Sequence, residues 1–260
     1  MRSCFVFQLD LVGIGMGNPD HLTQAAITAL QSADLILVPH KGESKTLLSD
    51  LRMAICQKYL GSTSHVIGFE QPPRDPKIAD YLTRVEAWHD GTAQIWSSLL
   101  KEHLPKGGRA ALLIWGDPSL YDSSLRIADR LQTRFDQIDV SVHPGLTAIQ
   151  LLTAAHRIPL NTLGAPVMIS TGRQLVKNGF PNESDTLVVM LDGELAFQTL
   201  APDPFDIWWG AYLGMKEEIL IKGRLKDVSA LISEQRVKAR QKYGWIMDTY
   251  LLRRVLTSDH

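Results

Sequence analysis

The sequence has only two cysteines, Cys4 and Cys56, too few for a disulfide framework, which points to a reducing compartment. It has almost no net charge, −1 at pH 7, and so no basic footprint for nucleic acid. No stretch approaches the roughly 20 apolar residues of a transmembrane span. The apolar run at 4–9 is too short for a signal h-region and meets Asp10 without a small-residue cleavage site. The eight histidines show no paired metal-ligand spacing, so no metal site is expected. Repeats, low-complexity tracts and disordered linkers are also missing. What these absences leave is a cytoplasmic globular chain of 260 residues, 45% apolar and 21% charged. That is enough for one large domain or two small ones.

The rest of the chain is organised around residues 110–124, AALLIWGDPSLYDSS. The run 110–114 is short and continuously apolar, as in a strand buried on both faces. It stops at Trp115-Gly116-Asp117-Pro118. Gly116 reaches backbone angles closed to other residues, and Pro118 fixes φ and restricts Asp117 to extended conformations. A buried strand ending in such a turn presents backbone groups at the carboxyl edge of a sheet, where open α/β folds bind ligands. An ordinary strand-to-helix turn is the alternative.

Strand-like and helix-like segments alternate through the first half. Strands are expected at 5–12, 35–38, 65–69 and 110–114. Helices are expected after a cap at Asp20 or Thr23, at 46–60, and at 79–104 with a break at Gly91. This βαβα pattern argues for a mostly parallel sheet covered by helices. A helix at 123–135 and a strand at 140–142 follow, then the turn HPGLTA at 143–148 and a helix at 147–155. The unpaired amides of that helix's first turn suit a polar ligand. A buried strand at 186–191 closes at Asp192-Gly193. Residues 206–213 and 218–222 read as a hairpin around Gly214, and 228–239 as a helix, so a mixed sheet is expected in the second half.

The turn GIGMGNP at 13–19 resembles a dinucleotide fingerprint with its third glycine lost. Such a site needs an acidic residue closing the second strand, but that strand closes with Val38-Pro39-His40, Asp34 before it and Glu43 after it.

Three turns in this order, GIGMGNP with Leu22-Thr23, GDPSLY at 116–121 and HPGLTA at 143–148, resemble the tetrapyrrole C-methyltransferases of corrin and sirohaem biosynthesis. The first turn departs from the family pattern, with Met16 for proline and Asn18 for aspartate. Stretches 34–45, 114–123, 156–161, 189–194, 208–213 and 244–250 narrow the resemblance to the deacetylating branch. That branch methylates C1 of precorrin-5 from S-adenosyl-L-methionine and releases acetate, in the oxygen-dependent cobalamin route.

The resemblance implies two α/β domains with the cofactor in the cleft between them, a mostly parallel N-terminal sheet, a mixed C-terminal sheet and a homodimer. The domains are expected at 1–118, lining the tetrapyrrole cleft, and 119–260, contributing most of the cofactor site. Carried over, the cofactor would meet Trp115, Gly116, Asp117, Leu120, Thr147, Ala148, Met190, Leu191, Gly210 and Ala211, with Met16 as a further contact. Backbone groups and a hydroxyl suit its zwitterionic methionine end, and apolar side chains suit its adenine. Gly13, Gly15 and Gly17 would line the tetrapyrrole side, where bare backbone admits a broad macrocycle.

Methyl transfer from a sulfonium needs mainly alignment and desolvation. Deacetylation needs a water and a base, for which Glu43 and Asp122 are candidates, with Tyr121 as hydrogen-bond donor. Asp122 also sits where it can cap a helix. Lys41, Arg126 and Arg173 are candidate partners for the substrate's carboxylates, and Trp209 for stacking on the macrocycle. Other readings are another precorrin or uroporphyrinogen C-methyltransferase, a dinucleotide-dependent oxidoreductase, and a non-catalytic tetrapyrrole carrier.

Overall fold

The computed structural model describes residues 6–40, 46–63 and 65–255. The chain divides into two compact units, Met1–Thr147 and Ala148–His260. Unit 1 runs β1 (Phe7–Gly13), α1 (Gln24–Gln31), β2 (Leu35–His40), α2 (Thr46–Tyr59), β3 (Val66–Glu70), α3 (Tyr81–His103), β4 (Gly108–Ile114), α4 (Ser124–Leu131) and β5 (Ile138–His143). Its sheet has the order β3-β2-β4-β1-β5 with every neighbouring pair parallel. β4 takes the centre, and its run Ala110 to Ile114 is at most 3% exposed, as a continuously apolar strand requires.

Strand alternation sends Leu9, Leu11, Leu35, Leu37, Ala110 and Leu112 to one face, packed with Trp96 of α3 and Ile127 and Leu131 of α4. Val12, Ile36, Val38, Ala111 and Leu113 go to the other, packed with Ala26 and Leu30 of α1 and Ile55 of α2. The neighbouring strands β1 and β4 therefore feed helices on opposite faces. Their carboxyl ends form a topological switch point, the place where open α/β sheets hold ligands. The dinucleotide-binding order 3-2-1-4-5 is not the order found here.

Two sequence expectations are corrected, and a choice left open between two caps is decided. β5 pairs with β1, so residues 119–147 join unit 1 and the division falls after Thr147 rather than at 118. α3 runs unbroken through Gly91, where a Cβ would sit 3.4 Å from Pro72, so the missing side chain lets a loop pack close. The cap of α1 is Thr23, whose hydroxyl accepts the Ala26 amide at 3.1 Å, while Asp20 pairs with Lys58.

Unit 2 runs α5 (Ala148–His156), β6 (Val167–Thr171), α6 (Gly172–Asn178), β7 (Thr186–Met190), β8 (Phe205–Ala211), β9 (Ile219–Arg224), α7 (Leu225–Tyr243) and β10 (Asp248–Arg254). Its sheet is mixed, in the order β6-β7-β10-β8-β9, with β6 and β7 parallel and the other pairs antiparallel. Phe197, Trp209, Tyr250 and Leu252 fill its core. No described helix is long and apolar enough to cross a membrane.

Candidate functional site

At the switch point of unit 1, three turns meet backbone to backbone. The Ile14 amide donates to the Ile114 carbonyl at 2.9 Å, and Gly15 and Gly116 exchange bonds of 3.2 and 2.8 Å. A Cβ on Gly145 would lie 2.2 Å from the Gly116 carbonyl oxygen, and one on Gly13 would lie 2.6 Å from the Gly145 amide nitrogen. Gly15 and Gly116 hold φ of 68° and 70°, a region that favours glycine. The glycines that the sequence singled out are therefore demanded by this convergence, before any ligand is considered. Gly13, Gly15 and Gly17 are buried.

Asp117 ties the second turn to the third. One carboxylate oxygen accepts the Ser119 amide at 2.8 Å and the Ser119 hydroxyl, and the other accepts the Gly145 amide at 2.9 Å. Burial works against its charge, but these bonds outweigh burial and hold the carboxyl below the usual aspartate value. The third turn is fixed from two more sides. The Thr23 hydroxyl donates to the Pro144 carbonyl at 3.4 Å, and His143 lies 3.0 Å from the fully buried carboxylate of Asp10, which also pairs with Arg109.

The remaining candidates of unit 1 flank this convergence. Met16 is buried, its sulfur 3.8 Å from where a Gly116 Cβ would be, and Trp115 and Leu120 are half-buried. Tyr121 is 45% exposed at φ 50°, an uncommon conformation for a bulky residue. Partial burial of its ring raises the phenol's pKa and keeps it a neutral donor. Asp122 does cap, accepting the Ser124 amide at 2.6 Å on one oxygen. Its backbone carbonyl accepts from exposed Arg126 at 3.2 Å. Thr147 is half-buried and Ala148 buried. Lys41 and Glu43 lie outside the described residues.

One residue of this region escaped the sequence reading. Arg52 of α2 is 9% exposed, with Nε donating to the Leu113 carbonyl and Nη1 to the Leu48 carbonyl, both at 3.3 Å. An arginine on an amphipathic helix reads as solvated surface, so nothing in the sequence marked it.

In unit 2, β7 ends in a turn with Met190 half-buried and Leu191 66% exposed at φ 53°. Asp192, 7% exposed, accepts the Glu194 and Ala196 amides at 2.9 and 2.7 Å and the Tyr250 hydroxyl at 2.7 Å. Arg236 of α7 donates to the carbonyls of Asp192 and Gly193 at 2.7 and 3.2 Å, and to Asp248 at 3.0 Å. Arg236 too was missed. Burial raises the Asp248 carboxyl's pKa, against the opposing pull of Arg236 and the Trp209 indole.

Gly210 and Ala211 are buried in β8. A Cβ on Gly210 would meet the side chains of Leu213 and Leu152 at 2.5 and 2.9 Å, so core packing accounts for that glycine. Arg173 is exposed on α6. The expectation for Trp209 is corrected: it is 0% exposed in the core, its indole N–H donating to Asp248 at 2.9 Å, and offers no face for stacking.

The sequence profile of the Tetrapyrrole (Corrin/Porphyrin) Methylases matches residues 8–229. The chain belongs to this family of methyltransferases. It is 47% identical to a Sinorhizobium protein named precorrin-6A synthase [deacetylating], over 94% of each chain. Its fold matches the crystal structure of a putative cobalamin synthesis related protein (CobF) from Corynebacterium diphtheriae, with a TM-score of 0.83 and 36% identity. That match covers 96% of this chain and all of the other. It also matches, in fold alone, a uroporphyrin-III C-methyltransferase of Thermus thermophilus complexed with S-adenosyl homocysteine. There the TM-score is 0.55 at 18% identity, covering 95% and 92% of the two chains.

Proposed function

We propose that this chain methylates C1 of precorrin-5 from S-adenosyl-L-methionine and releases the extruded acetyl group as acetate, giving precorrin-6A. The observation that carries the reading is the 47% identity, spread over 94% of both lengths, to a relative bearing the name of that activity. The residues fit the cofactor. In unit 1, the Gly116–Asp117 turn and Thr147 offer backbone groups and a hydroxyl for its methionine end. In unit 2, half-buried Met190 and protruding Leu191 offer apolar surface for its adenine.

The bound cofactor supplies an already activated methyl group and departs as S-adenosyl-L-homocysteine. The chain's own work is alignment and exclusion of water. The interlocked turns of Gly13, Gly116 and Gly145 form a rigid floor at the carboxyl ends of β1, β4 and β5. Asp122, with one oxygen free of the capping bond, and Glu43 are the proposed bases for the water that attacks the acetyl carbonyl. Tyr121 is the proposed donor to that carbonyl, and Lys41, Arg126 and Arg173 the proposed partners of substrate carboxylates. A cytoplasmic homodimer completes the reading.

Calorimetric titration with S-adenosyl-L-homocysteine tests it. Micromolar binding that Thr147→Trp abolishes is expected. No binding by the folded wild type would contradict the reading and favour a tetrapyrrole carrier.

A further inference from the structure

A buried guanidinium calls for a counter-charge, because removing a cation from water costs far more than two carbonyl contacts return. Arg52 lacks one. It is 9% exposed, and it donates to the carbonyls of Leu113 and Leu48, leaving Nη2 without an acceptor among the described residues. No described carboxylate lies within ion-pair distance. Asp122 acts on it only through space, raising a pKa that burial has pulled down to about 10, so the side chain stays charged at neutral pH.

Its place in the fold gives this unpaired charge a use. Leu113 is the penultimate residue of β4, so the guanidinium lies against the carboxyl end of the central strand, at the switch point where the three turns converge. The fixed fork of an arginine, with two arms held by carbonyls, presents its remaining N–H groups in a geometry suited to a carboxylate.

We propose that Arg52 is a substrate-binding residue that receives one acetate or propionate carboxylate of the tetrapyrrole, an inference that rests on the methyltransferase reading. The incoming carboxylate completes an ion pair that the free protein leaves half made. In the free protein, the charge is held at a cost to stability.

The test combines steady-state kinetics with precorrin-5, calorimetry with S-adenosyl-L-homocysteine, and melting of the ligand-free protein, in wild type, Arg52→Met and Arg52→Lys. Arg52→Met is expected to raise KM for precorrin-5 about tenfold or more, as loss of a charge-assisted bond does. It is expected to change kcat less than KM, to keep S-adenosyl-L-homocysteine affinity within about twofold, and to melt no lower than wild type. Arg52→Lys, keeping the charge without the fork, is expected to fall between them. An unchanged KM in an active variant overturns the assignment. So does a lower melting temperature with weakened cofactor-analogue binding, which would make Arg52 structural. Failure of the wild type itself to methylate precorrin-5 overturns the functional reading and takes this assignment with it.

Discussion

The Asp117 carboxylate accepts the Gly145 amide at 2.9 Å, fastening the turn that ends β4 to the turn that leaves β5. Its other oxygen serves Ser119. Asp117→Ala is expected to destabilise by about 1–3 kcal/mol for each buried donor left unpaired. The pH dependence has a definite sign. A carboxyl depressed on folding contributes stability above its unfolded pKa of about 3.9 and loses it as pH falls through its lower folded value. The stability gap between wild type and Asp117→Asn should therefore shrink below about pH 4 in urea titrations. A gap independent of pH would contradict this.

The glycine convergence makes a second expectation. A methyl on Gly145 would sit 2.2 Å from a backbone oxygen, which no side-chain rotation relieves. Gly145→Ala is expected to cost about 3 kcal/mol and to weaken cofactor-analogue binding with it. Gly61→Ala, where a Cβ meets nothing within 4 Å, should stay within about 0.5 kcal/mol. Equal effects of the two substitutions in thermal melts would sink this reading of the turns.

Arg236 neutralises buried Asp248 and holds the turn after β7 by two carbonyls. Arg236→Met should cost about 3–5 kcal/mol at pH 7, because it strands a buried carboxylate. A carboxyl raised on folding takes up a proton when the chain folds, so its burden on stability grows as pH rises from about 4 through the folded pKa. The deficit of Arg236→Met should thus be smaller at pH 5 than at pH 7. A constant deficit across that range in denaturant titrations would contradict the role.

Trp209→Phe keeps the bulk of the buried ring and removes the donor to Asp248. A loss of about 1–3 kcal/mol is expected, with KM for the tetrapyrrole within twofold of wild type. A raised KM with unchanged stability would return Trp209 to the substrate site.

The legible parts of the chain are those whose physics is local. β4 showed itself as an unbroken apolar run, and the three turns showed themselves through glycine and proline at strand ends. β6 and α6 were not read, since an edge strand with Met168 and Ile169 both exposed has neither alternation nor a buried run. β10, the centre of the second sheet, went unassigned because its partners lie some 40 to 60 residues away at Trp209 and Val189. The division of the chain falls later than expected because the pairing of β5 with β1 is non-local. In the candidate site, backbone-forming residues were legible. The buried charges Arg52 and Arg236 were not, since burial of an arginine is decided by what packs over it.

The most direct measurement incubates the purified protein with precorrin-5 and S-adenosylmethionine labelled in its methyl group, and counts both products. Expected is one labelled methyl at C1 of the tetrapyrrole for each acetate released, with neither product forming without the cofactor. Methylation at another carbon, or methylation with no acetate, would contradict the assignment to precorrin-5 and leave a different tetrapyrrole as substrate.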